Sequence, residues 1–406
     1  MKIKARPYLL VNPIQPYAWG SRGRDALIPR LLGLTPEPDQ PYAELWIGAH
    51  PKAPSAIVTP EGERPLDAWI AQDPAAALGP AVAARFEGRL PFLLKILSAA
   101  QPLSIQAHPN RAQAAALHAR DPEHYPDPNH KPEVAIALDR LDALVGFKPV
   151  AEINAALQMY PALAAFSGVV APIADVRALY PVLLNRAVAE PEALQSALEQ
   201  LTRRLEREPQ PTPTEALFLE LRERYPGPDV GLLSIFLLNW VHLEAGEGLF
   251  TGPGIPHAYL RGNIVECMAN SDNVVRVGLT RKYTDVAALA ETLTYESGPV
   301  AKLGEASAPG RMRYPLPIEE FAIERWQLRR GEMAPIVTGG SLRVVLVTAG
   351  EVACSWEKAG QMQQLGVSQG RAVFVPATLR RFQLTALDAA TLFYVSVPDA
   401  SSSASS

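Results

Sequence analysis

The chain of 406 residues has only two cysteines, Cys267 and Cys354. Two thiols cannot build a disulfide framework, and without a CxxC pair they offer no thiolate zinc site. A reducing cytoplasm is the compartment this implies. Long apolar runs are missing as well. The longest, "GLLSIFLLNWVHL", spans about 13 residues, against the roughly 20 that a membrane-crossing helix needs. The N-terminal stretch "MKIKARPYLLVNPIQPYAWG" has no long apolar core and no small-residue cleavage site, so it does not read as a signal peptide. Positive charge is not in excess. With a net charge of −4 there is no basic field for nucleic acid or anionic lipid, and an anionic ligand has to be met by a few placed Lys or Arg. No Gly-rich nucleotide-binding module precedes the β-rich segments, which counts against an added nucleotidyltransferase activity.

The content is that of a globular protein: 48% of residues are hydrophobic and 20% charged. The length exceeds one ordinary core, so two or three domains are expected. Residues 1–150 are rich in Pro and Gly and carry short β-type runs such as "ELWIGAH", "SAIVTP", "FLLKILS" and "EVAIAL". Residues 151–239 change texture. "AEINAALQMYPALAAF", "PEALQSALEQLTRRLEREP" and "PTEALFLELRERYPG" repeat apolar residues at three-to-four spacing, which predicts amphipathic helices. From 240 the β texture returns and continues through "SLRVVLVTAGEVACSW", "GRAVFVPA" and "ATLFYVSVP". Short strands at such intervals suggest jelly rolls or sandwiches. "GEGLFTGPGIPHAY" and "QGRAVFVPATLRRF" echo one another as Gly, apolar strand, Pro and turn. That shape resembles a strand entry in barrels of the cupin type. The expected fold is therefore mainly β with a helical insert: a catalytic cupin-like barrel from 1–150 and 240–310, a helical domain at 151–239, a second cupin-like barrel at 311–398 and a disordered tail at 399–406.

Three segments carry candidate metal ligands. In "PLSIQAHP", Gln106 and His108 are two residues apart. On a strand they share one face, roughly 6.5–7 Å apart, within reach of one ion at about 2.0–2.2 Å from each ligand atom. "DPNHKPEVAIAL" sets His130, Lys131 and Glu133 at the mouth of a strand. "GPGIPHAYLRGNIVECMANSDNVVRVGLTRKY" presents His257 after a Gly-Pro turn, followed by Glu266, Arg276 and Lys282. Alone, each residue has a plainer reading: a core histidine, a solvated strand end, a surface cation. Together, Gln106, His108, Glu133 and His257 form a set of four N and O ligands from three strand mouths.

"YAWG" at 17–20, "ELWIGAHP" at 44–51, "LPFLLKILSAAQPLSIQAHP" at 90–109, "NHKPE" at 129–133 and the "GPGIPHAYLRGNIVECMANSDNVVRVGLT" segment resemble the type I mannose-6-phosphate isomerases in order and spacing. The resemblance covers nearly the whole chain, including a helical insert between "NHKPE" and "PHAY". It implies one zinc ion per chain held by Gln106, His108, Glu133 and His257, with Arg276 as the catalytic arginine. It also implies a sugar-phosphate substrate, with neither nucleic acid nor membrane as a partner, and a monomeric cytoplasmic enzyme.

That chemistry suits these residue types. Moving a proton from C2 to C1 of an aldose leaves an enediolate, whose charge a Lewis-acidic metal stabilises. Gln106 and two neutral histidines add no charge and Glu133 adds −1, so a site holding a divalent cation stays net positive. Lys131, Glu266 and His130 are candidates for proton transfer, in that order, with His130 also a candidate for ring opening. Arg276, Lys95 and Lys282 are candidate anion-binding cations, and Ser104 can bond a sugar or phosphate oxygen. Trp19 and Glu44 are placed as pocket walls. Two other classes compete. A cupin-type iron dioxygenase would use two His and one carboxylate with open positions, and Gln106 and the cations argue against it. A non-catalytic sugar-phosphate binder would not need the full ligand set together with Arg276.

Overall fold

Strand Phe92–Ala99 shows the rule by which this molecule is built. Its eight residues, FLLKILSA, are all buried. Leu94 and Ile96 point into one core with Leu45, Ile47, Val134, Ile136, Val265 and Cys267. Leu97 and Ala99 point the other way with Ala135, Ala137 and Ile264. A strand covered on both faces reads as a nearly continuous apolar run, and Lys95 and Ser98 are the exceptions within it.

The computed structural model describes residues 3–280 and 282–399. The protein is mostly β. One set of ten strands is ordered Leu238–Leu243, Leu141–Phe147, His257–Ala269, Phe92–Ala99, Glu44–Gly48 and Ile14–Gln15. Off this path, Glu133–Ala137 pairs with Gly248–Thr251 and with His257–Ala269, while Ile105–Ala107 bridges His257–Ala269 and Val275–Gly278. The 13-residue strand His257–Ala269 is the spine. It turns a corner at Gly262, where φ is +128° and a Cβ would run into the Arg140 carbonyl. Only glycine takes that position without strain.

A nine-stranded sheet packs on the outside of this set. Its order is Glu305–Ala308, Arg311–Tyr314, Ala322–Leu328, Ala390–Ser396, Arg343–Ala349, Ala372–Val375, Tyr8–Val11, Ala56–Thr59 and Gly62–Pro65. Tyr8–Val11 thus pairs antiparallel with Ala372–Val375. Residues 8–65 supply strands to both sheets, which assigning 1–150 to a single barrel does not anticipate. A four-stranded sheet of Met333–Val337, Arg381–Ala386, Glu351–Lys358 and Gln361–Ser368 closes the C-terminal part over its own apolar core.

The helical insert begins at Val150–Met159 and ends with Gly231–Ser234. It is spliced between two strands that pair directly, Leu141–Phe147 and Leu238–Leu243, so the sheet continues as though the insert were absent. Pro161 splits the predicted 151–166 helix into Val150–Met159 and Pro161–Ser167, because proline cannot donate inside a helix. Helices Pro191–Leu205 and Pro213–Arg224 fall where periodicity places them. The helix Arg111–Arg120, with a capping box from Asn110 and Gln113, and the short helices Leu66–Ala71, Pro74–Leu78 and Pro80–Arg85 interrupt the 1–150 segment, where only strands were expected. Cys267 and Cys354 are both buried and free. Among the described residues no helix is long and apolar enough to cross a membrane. The expected tail lies outside the described residues apart from Asp399.

Candidate metal centre and active site

Three strand ends deliver the site. Gln106 is near the end of Ile105–Ala107, with His108 directly after it; Glu133 opens Glu133–Ala137, and His257 opens His257–Ala269. Gln106 lies directly opposite His257 in one ladder and opposite Arg276 in the other. Residues directly opposite in an antiparallel pair share a face, so Gln106, His257 and Arg276 project to one side. Val275 and Val277 project to the other, into the core with the helical insert.

His108, Glu133 and His257 each offer a ligand atom, and these atoms all lie within 4.8 Å of one another. The His257 Nε2 is 3.0 Å from one Glu133 oxygen, and the His108 Nε2 is 3.4 Å from the other. Both rings are oriented from behind. His108 Nδ1 is 2.8 Å from the Asn273 carbonyl and His257 Nδ1 is 2.9 Å from the Ile255 carbonyl. A carbonyl only accepts, so each ring donates Nδ1–H and leaves Nε2 as a bare lone pair. His108 Nε2, His257 Nε2 and Glu133 Oε2 are buried without a hydrogen-bond partner. Three lone-pair atoms facing one another with no proton between them repel, unless a cation sits among them. The donor set, two imidazoles and a carboxylate with an amide beside them, is of the kind that zinc takes.

The protonation states agree. Burial pushes the His108 imidazole down to about 4, helped by the Lys131 ammonium and opposed by Glu133. Burial alone would push the Glu133 carboxyl up, but Lys131 and the two histidines outweigh it and hold it well below the carboxylate range. Near neutral pH His108 is therefore a neutral imidazole and Glu133 a carboxylate.

Further charged side chains lie buried around this cluster. Lys131 Nζ is 3.4 Å from Glu133 Oε2. Lys95 Nζ is 3.1 Å from Glu266 and 3.5 Å from Glu44, and is 6% exposed. Lys95 is thus shared between two buried carboxylates instead of facing an open anion site. Burial raises the Glu266 carboxyl despite the opposing pull of Lys95. His130 is turned away to Glu320, at 2.6 Å, and Arg111 pairs with the same carboxylate. Ser104 is half-buried just ahead of the Ile105–Ala107 strand. Arg276 and the exposed Lys282 are close enough that Arg276 lowers the Lys282 pKa, although burial contributes more. Trp19 stacks on Tyr17 with ring centroids 5.8 Å apart, and Trp46 donates from Nε1 to Glu44 at 2.5 Å.

Sequence reasoning missed two supporting residues. Tyr259 donates from its hydroxyl to Glu133 at 3.3 Å, and its two-residue spacing from His257 was the available signal. Asn273 supplies the carbonyl that orients His108. Its side chain is itself held by the carbonyls of Asp127 and Asn129, at 2.6 and 2.9 Å. Nothing local in the sequence marks that role.

Comparison with known proteins places this site in a family. Residues 8–150 match the model of the phosphomannose isomerase type I catalytic domain. The mannose-6-phosphate isomerase 1 of Arabidopsis thaliana is 37% identical over 390 residues, covering 90% of this chain and 88% of that protein. The chain belongs to the type I phosphomannose isomerase family. The human mannose-6-phosphate isomerase is 40% identical over 313 residues, with 71% and 73% of the two chains covered. Among solved structures, the apo form of the mannose 6-phosphate isomerase from Salmonella typhimurium superposes with a TM-score of 0.85 at 33% identity, covering 98% of this chain and all of that one. A mannose 6-phosphate isomerase bound with zinc and yttrium superposes with a TM-score of 0.80 at 31% identity, covering 97% of this chain and all of that one.

Proposed function

We propose that this protein interconverts mannose 6-phosphate and fructose 6-phosphate as a zinc-dependent aldose–ketose isomerase, with its site on the first of a pair of cupin-like barrels. The observation that carries this is the trio of buried, partnerless lone-pair atoms on His108, Glu133 and His257. Gln106 stands opposite His257 in register as the fourth ligand, with one ion per chain. Bound there, zinc would supply Lewis acidity toward an enediolate.

The remaining roles fall to this chain's own side chains. Arg276, on the face shared with Gln106 and His257, binds the developing oxyanion through its planar fork. Lys282, near it on the following loop, attracts the phosphate with a mobile point charge, and Ser104, just ahead of the strand that carries Gln106, bonds a sugar or phosphate oxygen. Proton transfer between C2 and C1 falls to Lys131, whose ammonium nitrogen is at the Glu133 carboxylate. Of its rivals, Glu266 is engaged with Lys95 and His130 with Glu320. The C-terminal barrel is filled with side chains such as Val345, Val347, Cys354 and Leu384 and serves as structure. The enzyme acts as a soluble cytoplasmic monomer.

A coupled isomerase assay on mannose 6-phosphate tests this, run on parent, metal-stripped and zinc-reloaded protein. Stripping should abolish turnover and zinc should restore it. Full activity in protein shown by elemental analysis to be metal-free would refute the proposal.

A further inference from the structure

Arg276 lies on strand Val275–Gly278, and Lys282 on the segment that follows it. Between them Leu279 has φ +54°, a left-handed backbone that a leucine rarely adopts. The group that holds it comes from the helical insert. Asp229 lies between helix Pro213–Arg224 and helix Gly231–Ser234. One of its oxygens accepts from the Leu279 N–H at 2.9 Å and the Gly231 N–H at 2.8 Å; the other accepts from the Thr280 N–H at 3.2 Å. Burial pushes its carboxyl up while these three N–H groups pull it down. No ion pair to Asp229 is formed among the described residues, so its hydrogen bonds go to backbone.

The two segments touch so closely that neither tolerates a side chain. A Cβ on Gly278 would strike the Asp229 carboxylate and come within 2.5 Å of the Gly231 nitrogen, and one on Gly231 would meet the Leu279 nitrogen at 2.7 Å. Beside this contact is a cavity of about 400 Å³, lined by Arg224, Asp229, Val277, Thr280, Lys282 and Thr284 among others. Packed side chains therefore do not brace the loop on that side, and the carboxylate clamp does.

We propose that Asp229 is a positioning residue: through it the helical insert fixes the loop that carries Lys282, and so fixes the cation that meets the substrate's phosphate. This rests on the assignment of Lys282 made above. Asp229→Asn keeps the shape but turns an amide donor toward one of the backbone donors. Charge-assisted hydrogen bonds of this kind are worth enough that kcat/KM for mannose 6-phosphate should fall about tenfold, while zinc content stays at the parent level. Binding of inorganic phosphate, followed by titration calorimetry, should weaken by a similar factor. The Leu279 and Thr280 amides should lose protection from hydrogen exchange. In a Lys282→Ala background the same Asn substitution should cost under about threefold, because the residue it positions is gone. Gly278→Ala, which presses on the carboxylate from the loop side, should reproduce the loss if the Asn variant does not fold.

An equal loss in both backgrounds, or unchanged amide protection, overturns the proposal and leaves Asp229 with a purely structural role. Parent protein that binds phosphate through an Asp229-dependent loop but does not isomerise mannose 6-phosphate supports the clamp and refutes the function proposed above. Parent protein that binds no phosphate overturns the clamp's proposed purpose.

Discussion

Replacing Arg276 by lysine keeps a positive charge and removes a planar fork. Arg276 is half-buried on strand Val275–Gly278, opposite Gln106. Burial pushes its guanidinium pKa down, and the Tyr125 hydroxyl is the group that opposes this. No carboxylate forms an ion pair with it among the described residues, so the substitution leaves no orphaned partner. Tm should therefore stay within about 1 °C of the parent, which corresponds to about 1 kcal/mol for a chain of this size. Catalysis should respond differently. Losing one preorganised donor to a transition-state oxyanion costs about 2.7–4 kcal/mol, or roughly 10²–10³ in turnover. Lysine recovers part of that as a point charge, so the expected loss in kcat is at least about tenfold, with zinc content unchanged. Steady-state kinetics on mannose 6-phosphate, with metal analysis and thermal melts on the same samples, provide the measurement. A change confined to KM would reassign Arg276 to uniform phosphate binding. Parent-like kinetics at full zinc occupancy would remove it from the mechanism and return the burden to Lys131 and Glu266.

Two more outcomes follow from the geometry. His257→Ala or Glu133→Ala should lose both metal and turnover, read by elemental analysis and the coupled assay; metal retained at parent affinity in either variant would mean that the ion binds elsewhere. At Glu320, burial raises the carboxyl, but the His130 hydrogen bond and charge, a backbone hydrogen bond and the Arg111 charge together outweigh it, so the folded pKa lies below the reference of 4.5. A carboxylate depressed on folding contributes stability above its unfolded pKa and loses it as pH falls through the folded one. Glu320→Gln should therefore flatten the decline of Tm with acidification below about pH 4.5. An acid limb as steep as that of the parent would show that the pair carries no such stability.

Much of this molecule was legible because the signals are local. Apolar spacing alone placed Pro191–Leu205 and Pro213–Arg224, since each buries one stripe and exposes the rest. Helix Arg111–Arg120 went unread for the converse reason. Of its ten residues only Ala114 and Leu117 are buried, too few to set a period, and the capping box was the one cue on offer. The site was legible in its ligand types: Gln106, His108, Glu133 and His257 were named from three strand mouths, and the three among them that are histidine or carboxylate do converge.

Partners far along the chain were not legible. Tyr8–Val11 finds Ala372–Val375 across nearly the whole sequence, and an alternating pattern says which face is buried but not which strand lies alongside. The same holds at atomic scale in the site. Lys95 read as a free cation because sequence shows a charge in an apolar strand and nothing of the two carboxylates that enclose it. Composition fixes which atoms can ligate or carry charge. Which nitrogen of His108 is bare, whether a lysine is free, and which carboxylate meets the backbone after Arg276 depend on distances of about 3 Å between residues remote in sequence, and only the folded chain sets those.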